Sequence, residues 1–193
     1  LNDSYIHKMN KLIAIASAVL LLSGCASGVS RNANKSVDAA SISAVSGQAQ
    51  SKVTKDNPLT NITINLSDDA AKKVADNLKF NQSTLLDHVK RALESNKYYV
   101  ANAAKQGMSM DIVVTDFRVR SNFASIAFGF LAGSDSITGD IIIKNPSGQE
   151  VDRFEVSASY ALGGLAGGMD DSRMNWLYEA FATATLKEIQ QGK

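Results

Sequence analysis

A short turn sequence between two strand-like runs constrains the fold more than any other feature of the chain. The sequence NPSG at 145–148 separates an isoleucine-rich run at 137–144 from an alternating run at 151–160. Proline presets the backbone at the second position of a β-turn, and glycine suits the fourth. The pattern predicts an antiparallel hairpin whose second strand presents one face to a core. Four side chains form that inward face: Phe154, Val156, Ala158 and Tyr160.

Further periodic segments extend the hairpin into an α+β domain. Residues 59–66 alternate as a strand does, and residues 68–96 have the spacing of two helices or of one bent helix. Residues 111–120 predict another half-buried strand. One face of it carries Val113, Thr115, Phe117 and Val119, and the other carries Asp116, Arg118 and Arg120. A helix is predicted over 171–190, with a core stripe made of Met174, Leu177, Phe181 and Ala184. We therefore expect an antiparallel sheet of about four strands with helices packed on one face.

The N-terminal region has the organisation of an export signal. Lys11 precedes an uncharged apolar run at 12–22, which is shorter than the ~20 residues that a membrane-spanning helix requires. The sequence LSGC at 22–25 resembles the bacterial lipoprotein processing box, which implies cleavage before Cys25 and acylation of its thiol. The residue after the cysteine is Ala26 and not aspartate, which resembles the sorting pattern of Gram-negative lipoproteins that reach the outer membrane. We therefore expect a lipid-anchored protein of the outer membrane, on its periplasmic side. The alternative is an uncleaved apolar segment with an incidental cysteine.

This interpretation divides the chain into three regions. Residues 1–24 form the signal peptide, with Met9 as the expected initiator. Residues 25–57 hold the lipidated Cys25 and a flexible tether that is rich in Ser, Ala, Asn and Gln. Residues 58–193 form the α+β domain. A coil of the tether's length would hold that domain roughly 30 Å from the bilayer.

Two uncharged, glycine-rich segments connect the predicted elements. Residues 122–134 (NFASIAFGFLAGS) join the strand at 111–120 to the hairpin, and residues 161–169 (ALGGLAGGM) follow the hairpin. In an antiparallel meander, both segments lie at the sheet end opposite the 145–148 turn. They could be part of the core, an apolar surface for self-association or a protein partner, or a membrane contact. The residues expected to converge there, the predicted interaction edge, are Phe128, Phe130, Leu131 and Leu165.

The charge of the chain argues against one class of partner. The formal net charge is +1, and Asp3, Lys8 and Lys11 all precede Cys25, so the remainder of the chain is neutral. A nucleic-acid binder normally carries a basic excess. We therefore expect no nucleic acid among the partners.

Few residues are candidates for catalysis, metal ligation or ligand binding. His7 precedes Cys25, so His88 is the one histidine of the expected mature chain, and zinc ligation is not expected. The sequence has no GxSxG elbow and no phosphate-binding glycine motif, so we expect no catalytic residue, metal or cofactor. Arg118, Arg120 and Arg153, on the solvated faces of predicted strands, could contact a small anion. Four aspartates near the strands lack the spacing of a calcium loop: Asp111, Asp116, Asp135 and Asp140.

Residues 119–182 resemble a family of bacterial lipoproteins, the domain of unknown function 4410. The resemblance is carried by FGFLAGS at 128–134, IIIKNPSGQEV at 141–151 and GGLAGG at 163–168. It implies an envelope lipoprotein domain and transfers no catalytic residue. We predict a membrane-anchored, non-enzymatic domain for interaction or assembly that uses the interaction edge. The alternative is a periplasmic module that binds a small molecule or a lipid.

Overall fold

A five-stranded mixed sheet and three helices make up the described part of the chain. The computed structural model describes residues 25–31, 52–75, 79–101, 107–120, 134–160 and 170–192. The strands are β1 (Cys25–Ser30), β2 (Leu59–Leu66), β3 (Met108–Arg118), β4 (Asp135–Lys144) and β5 (Glu150–Tyr160). The helices are α1 (Asp68–Ala75), α2 (Gln82–Ser95) and α3 (Asp170–Gln191). The strand order across the sheet is β1-β5-β4-β3-β2.

The predicted hairpin is present as β4 and β5. The backbone N–H of Gly148 donates to the carbonyl of Asn145 at 2.9 Å, and that of Asn145 donates to the carbonyl of Gln149 at 2.9 Å. Gly148 has a φ of 80°, a conformation that glycine adopts without steric cost. The four side chains predicted to face inward from β5 are all buried. Local turn chemistry and period-two alternation therefore account for this half of the sheet.

The sheet is mixed, which corrects the prediction of a purely antiparallel one. β1, β5, β4 and β3 pair antiparallel, whereas β2 pairs parallel with β3. The chain between β2 and β3 contains α1 and α2, and a helical crossover of this kind returns the backbone to the end at which the first strand began. Strand β3 can therefore run alongside β2 in the same direction.

The fifth strand comes from the region assigned to the tether. All six residues of β1 pair with β5, from Cys25 opposite Tyr160 to Ser30 opposite Glu155. The sequence CASGVS has no alternating apolar face, so its place in the sheet depends on backbone pairing rather than on side-chain burial. The expectation of a flexible tether therefore does not describe residues 25–30.

A β-bulge changes which side chains β3 buries. Met108, Met110, Ile112 and Val114 are buried in regular alternation, and the register shifts between Val114 and Asp116. The shift places Phe117 on the buried face together with Ile112 and Val114. The prediction that Phe117 shares its face with Val113 and Thr115 is therefore wrong, because the bulge reverses the alternation between them. Beyond it, the strand ends at Arg118, two residues earlier than expected, so alternation no longer determines the direction of Arg120.

One hydrophobic core lies between the sheet and the helices. The core stripe predicted for α3 is buried, and Phe80, just before α2, stacks on Phe117 of β3 with ring centroids 4.6 Å apart. The N-cap of α2 is Asn81, whose side chain accepts from the backbone N–H of Thr84 at 3.0 Å. Of the helices in the described ranges, none is both long and apolar enough to cross a membrane.

Candidate functional site

Three strands present their ends together on the side of the sheet away from the β4–β5 turn. Cys25 of β1 pairs with Tyr160 of β5, and Tyr160 pairs in turn with Asp135 of β4. Arg120 follows the neighbouring end of β3, and α3 begins at Asp170 close to the same place. We call this region the anchor end, and the opposite side, at residues 145–148, the turn end.

Both glycine-rich segments leave and rejoin the described structure at the anchor end. Residues 121–133 lie between Arg120 and the start of β4, and residues 161–169 lie between Tyr160 and α3. The sequence analysis placed both connections at one end of the sheet, and the positions of these strand ends agree with that. Every residue of the predicted interaction edge falls outside the described ranges: Phe128, Phe130, Leu131 and Leu165.

A buried charge cluster lies at the base of these segments. The carboxylate of Asp135 is fully buried and lies 3.1 Å from Nη2 of Arg120 and 3.2 Å from Nε of Arg173. The backbone N–H of Arg120 also donates to Asp135 Oδ1 at 2.8 Å. Arg173 Nη2 donates to the carbonyl oxygen of Arg120 at 3.1 Å, and Arg120 Nη2 reaches the carbonyl of Tyr160 at 3.4 Å.

The cluster connects β3, β4, β5 and α3 at one point. Removing three charges from water costs several kcal/mol for each ion, and only close mutual pairing offsets that cost. Arg120 is 4% exposed and Arg173 is 1% exposed, so the pairing takes place away from solvent. Arg120 was expected on a solvated face with Asp116 and Arg118, and that expectation is wrong because Arg120 turns inward to Asp135.

The three arginines considered for an anion contact do not come together. Arg118 is exposed at the anchor end, Arg120 belongs to the buried cluster, and Arg153 lies nearer the turn end, in register with Ile142. Arg153 donates through Nε and Nη2 to Glu150 at 2.8 and 2.7 Å. These hydrogen bonds raise the pKa of Arg153 above its ordinary value, against the opposing effect of burial.

The aspartates considered for calcium are separated and engaged with basic side chains. Asp111 accepts from Lys144 at 2.6 Å and from Thr63 at 2.6 Å. Burial raises its pKa, but these two hydrogen bonds outweigh that effect and leave the pKa lowered. Asp116 pairs with Lys73, and Asp140 lies 3.7 Å from Arg153. Across the described ranges, no group of three potential ligands has the arrangement of a metal site.

His88 occupies a structural position between α2 and α3. It is 8% exposed, its Nδ1 lies 3.0 Å from Glu179 Oε2, and its ring centroid lies 5.9 Å from that of Tyr178. The hydroxyl of Tyr178 accepts from the backbone N–H of Asn81 at 2.7 Å. Burial raises the pKa of Tyr178, against the effect of that hydrogen bond. These contacts hold the two helices in register.

Trp176 is a residue of the anchor end that the sequence analysis missed. Its side chain is 44% exposed, and its ring lies 5.2 Å from that of the buried Tyr160. Within α3 it lies between Met174 and Leu177 but off the buried stripe that those two residues share. The sequence offered one signal for Trp176, because it is a large apolar residue outside the stripe of α3 that faces the core. Asp135 had a signal as well, since it shares the inward alternation of Ile137.

Replacing Asp135 by asparagine should destabilise the domain strongly. Asp135→Asn leaves the guanidinium groups of Arg120 and Arg173 buried without a carboxylate between them, at a cost of about 3–5 kcal/mol. Urea unfolding of the two proteins measures this loss. The matched control is Asp116→Asn, because Asp116 pairs with Lys73 in an exposed position and should cost at most about 1 kcal/mol. Equal losses from both changes would contradict a central role for the buried cluster.

This chain is similar to solved structures and matches a described protein family. A PelC dodecamer from Paraburkholderia phytofirmans is similar at 8% identity and a TM-score of 0.42, over 83% of this chain and 96% of that chain. A minor lipoprotein from Acinetobacter baumannii is similar at 10% identity and a TM-score of 0.40, over 68% of this chain and 93% of that chain. No curated protein sequence matches. The family described as Domain of unknown function (DUF4410) matches residues 32–164, which confirms the resemblance, and this chain belongs to that family.

Proposed function

We propose that this chain is an outer-membrane lipoprotein, acylated on Cys25, whose domain is a non-enzymatic module for interaction or assembly on the periplasmic side. The anchor end is its contact region. One observation carries the proposal most directly: Cys25, the residue of the processing box that would be acylated, lies in register with Tyr160. In this proposal, the lipid is attached at the same end of the sheet from which both uncharged glycine-rich segments leave the described structure.

The buried cluster supports a role in contact rather than in catalysis. Arg120 and Asp135 flank the first glycine-rich segment, while Tyr160 and Arg173 flank the second, and the cluster ties all four together. Segments that start and end at fixed points can present an apolar surface reproducibly. The charged groups of the cluster are turned toward one another inside the protein, which suits a structural network and leaves no reaction for them in this proposal.

The single cysteine gives the first test of this function. Cys25→Ala removes the thiol that would be acylated, so the protein should lose its fatty-acid label and move from the membrane fraction to the supernatant. Metabolic labelling with an alkyne fatty acid, followed by fractionation of the cells, measures both effects. Ser27→Ala is the matched control, because it lies in the same strand and leaves the thiol in place. A Cys25→Ala protein that remained wholly in the membrane would contradict the assignment.

Charged substitutions at the interaction edge test the contact itself. Leu131→Asp combined with Leu165→Asp introduces charge into both glycine-rich segments, so a specific crosslinked band formed in cells by the wild type should disappear. Val100→Asp is the matched control: Val100 is 44% exposed, and its backbone bonds to Leu59 toward the turn end. It should keep the band. If the double variant folds and keeps every band, the contact does not use this edge.

A further inference from the structure

We infer that the anchor end rests directly on the surface of the lipid bilayer, with Trp176 at the membrane–water interface. This inference depends on the proposed acylation of Cys25 and extends it. Acylation alone would tie the chain to the membrane without specifying how the domain is oriented. The position of β1 supplies the orientation, and the position of Trp176 supplies an independent point of contact.

No linker residue separates the proposed acylation site from the sheet. Cys25 is itself the first residue of β1, and its partner Tyr160 is the last residue of β5. Residues 32–51 lie between Arg31 and the described chain from Lys52 onward, so they do not lie between the anchor and the sheet. The spacing of roughly 30 Å expected from a coiled tether is therefore removed, and the lipid would enter the bilayer beside the strand ends.

Arg31, the residue that follows β1, fastens this strand to the domain. The guanidinium of Arg31 bonds to Asp152 of β5, with Nη1 at 2.5 Å from Oδ1, and to Glu188 of α3, with Nε at 2.7 Å from Oε1. It also lies over the ring of Phe154, 5.2 Å from the centroid. The hydrogen bonds to Asp152 and Glu188 raise the pKa of Arg31, although burial opposes them. β1 is thus fixed to the sheet and to a helix through a group that stays charged.

Trp176 has both the side-chain chemistry and the position of a residue that contacts a membrane surface. Within the described ranges, the large apolar side chains with more than a third of their surface exposed are those of Val29, Val100 and Trp176. Trp176 packs beside Tyr160, whose backbone pairs with Cys25. Indole rings favour the headgroup level of a bilayer because they combine an apolar ring with a polar N–H. Among the aromatic rings in the described ranges, the most exposed one therefore lies next to the proposed point of lipid attachment.

This orientation also restricts the partners of the proposed function. A protein that reaches the glycine-rich segments at the anchor end must itself lie at the bilayer surface or within the membrane. A second copy anchored alongside meets that condition. A partner that approaches from the periplasmic space meets the turn end instead.

The test uses the fact that the chain contains one tryptophan. The purified acylated protein is placed in vesicles of phosphatidylethanolamine and phosphatidylglycerol, with and without bromine atoms on the acyl chains close to the headgroups. Trp176 should lose fluorescence in the brominated vesicles and should emit at a shorter wavelength than in detergent-free buffer. The control protein carries Trp176→Phe with Val100→Trp, which moves the single indole to the turn end, and it should keep its full emission.

A second variant tests whether the clamp determines the orientation. Arg31→Glu places a negative charge against Asp152 and Glu188, so β1 should detach and allow the domain to leave the surface. The quenching of Trp176 should then fall toward that of the control. Quenching that is unchanged in Arg31→Glu would overturn the role of β1 in orienting the domain.

The mass of the N-terminal peptide, measured on the same samples, separates the inference from the function on which it rests. An acylated protein whose Trp176 is not quenched, or whose Val100→Trp control is quenched equally, overturns the orientation and leaves the lipoprotein assignment standing. A peptide without acyl chains overturns the proposed function, and the inference fails with it.

Discussion

The buried carboxylate of Asp135 holds together the parts of the chain that meet at the anchor end. It lies at the start of β4, between the guanidinium groups of Arg120 and Arg173, and its strand position faces Tyr160. Because a buried charge is tolerated only when it is closely paired with an opposite one, the positions of both guanidinium groups depend on Asp135. That constraint determines the points at which both glycine-rich segments leave and rejoin the domain.

The edge strand β1 connects this arrangement to Cys25, the proposed point of lipid attachment. Its residues 27–30 are exposed, and it depends on pairing with β5 and on the contacts of Arg31 with Asp152 and Glu188. Ion pairs that are partly exposed contribute modestly one at a time, but here they act together with six backbone pairs. The result places the proposed lipid attachment within the sheet. In the proposed orientation, the distance between domain and bilayer follows from strand geometry rather than from the length of a coil.

Local patterns predict part of this fold and leave out what depends on distant contacts. The β4–β5 hairpin and the buried stripe of α3 are encoded within short windows, so turn residues and periodicity suffice for them. The parallel pairing of β2 with β3 depends on the path of the helical crossover, which no window contains. β1 could not be predicted for a similar reason. The contacts that hold it in place are distant in sequence, since Arg31 lies 121 residues from Asp152 and 157 from Glu188.

The candidate site also combines features that local patterns predict with features that they do not. Strand order alone places the glycine-rich segments at one end, because an antiparallel meander brings alternate connections together. The burial of Arg120 could not be predicted from alternation, since β3 contains a bulge and ends before that residue. Trp176 and Asp135 each carried a weak signal, one as an apolar residue off the helical stripe and the other as a charge on the inward face of a strand.

The central claim is that residues 25–30 form a strand of the sheet instead of a tether, and an engineered disulfide tests it most directly. Gly28 pairs with Ser157, and a Cβ added at Gly28 would meet no atom within 4 Å. In membrane-bound protein under mild oxidation, Gly28→Cys with Ser157→Cys should crosslink readily. Gly28→Cys with Ser159→Cys, two positions out of register, should crosslink poorly. Equal yields from the two pairs would show that β1 is not held in this register, and would contradict the account.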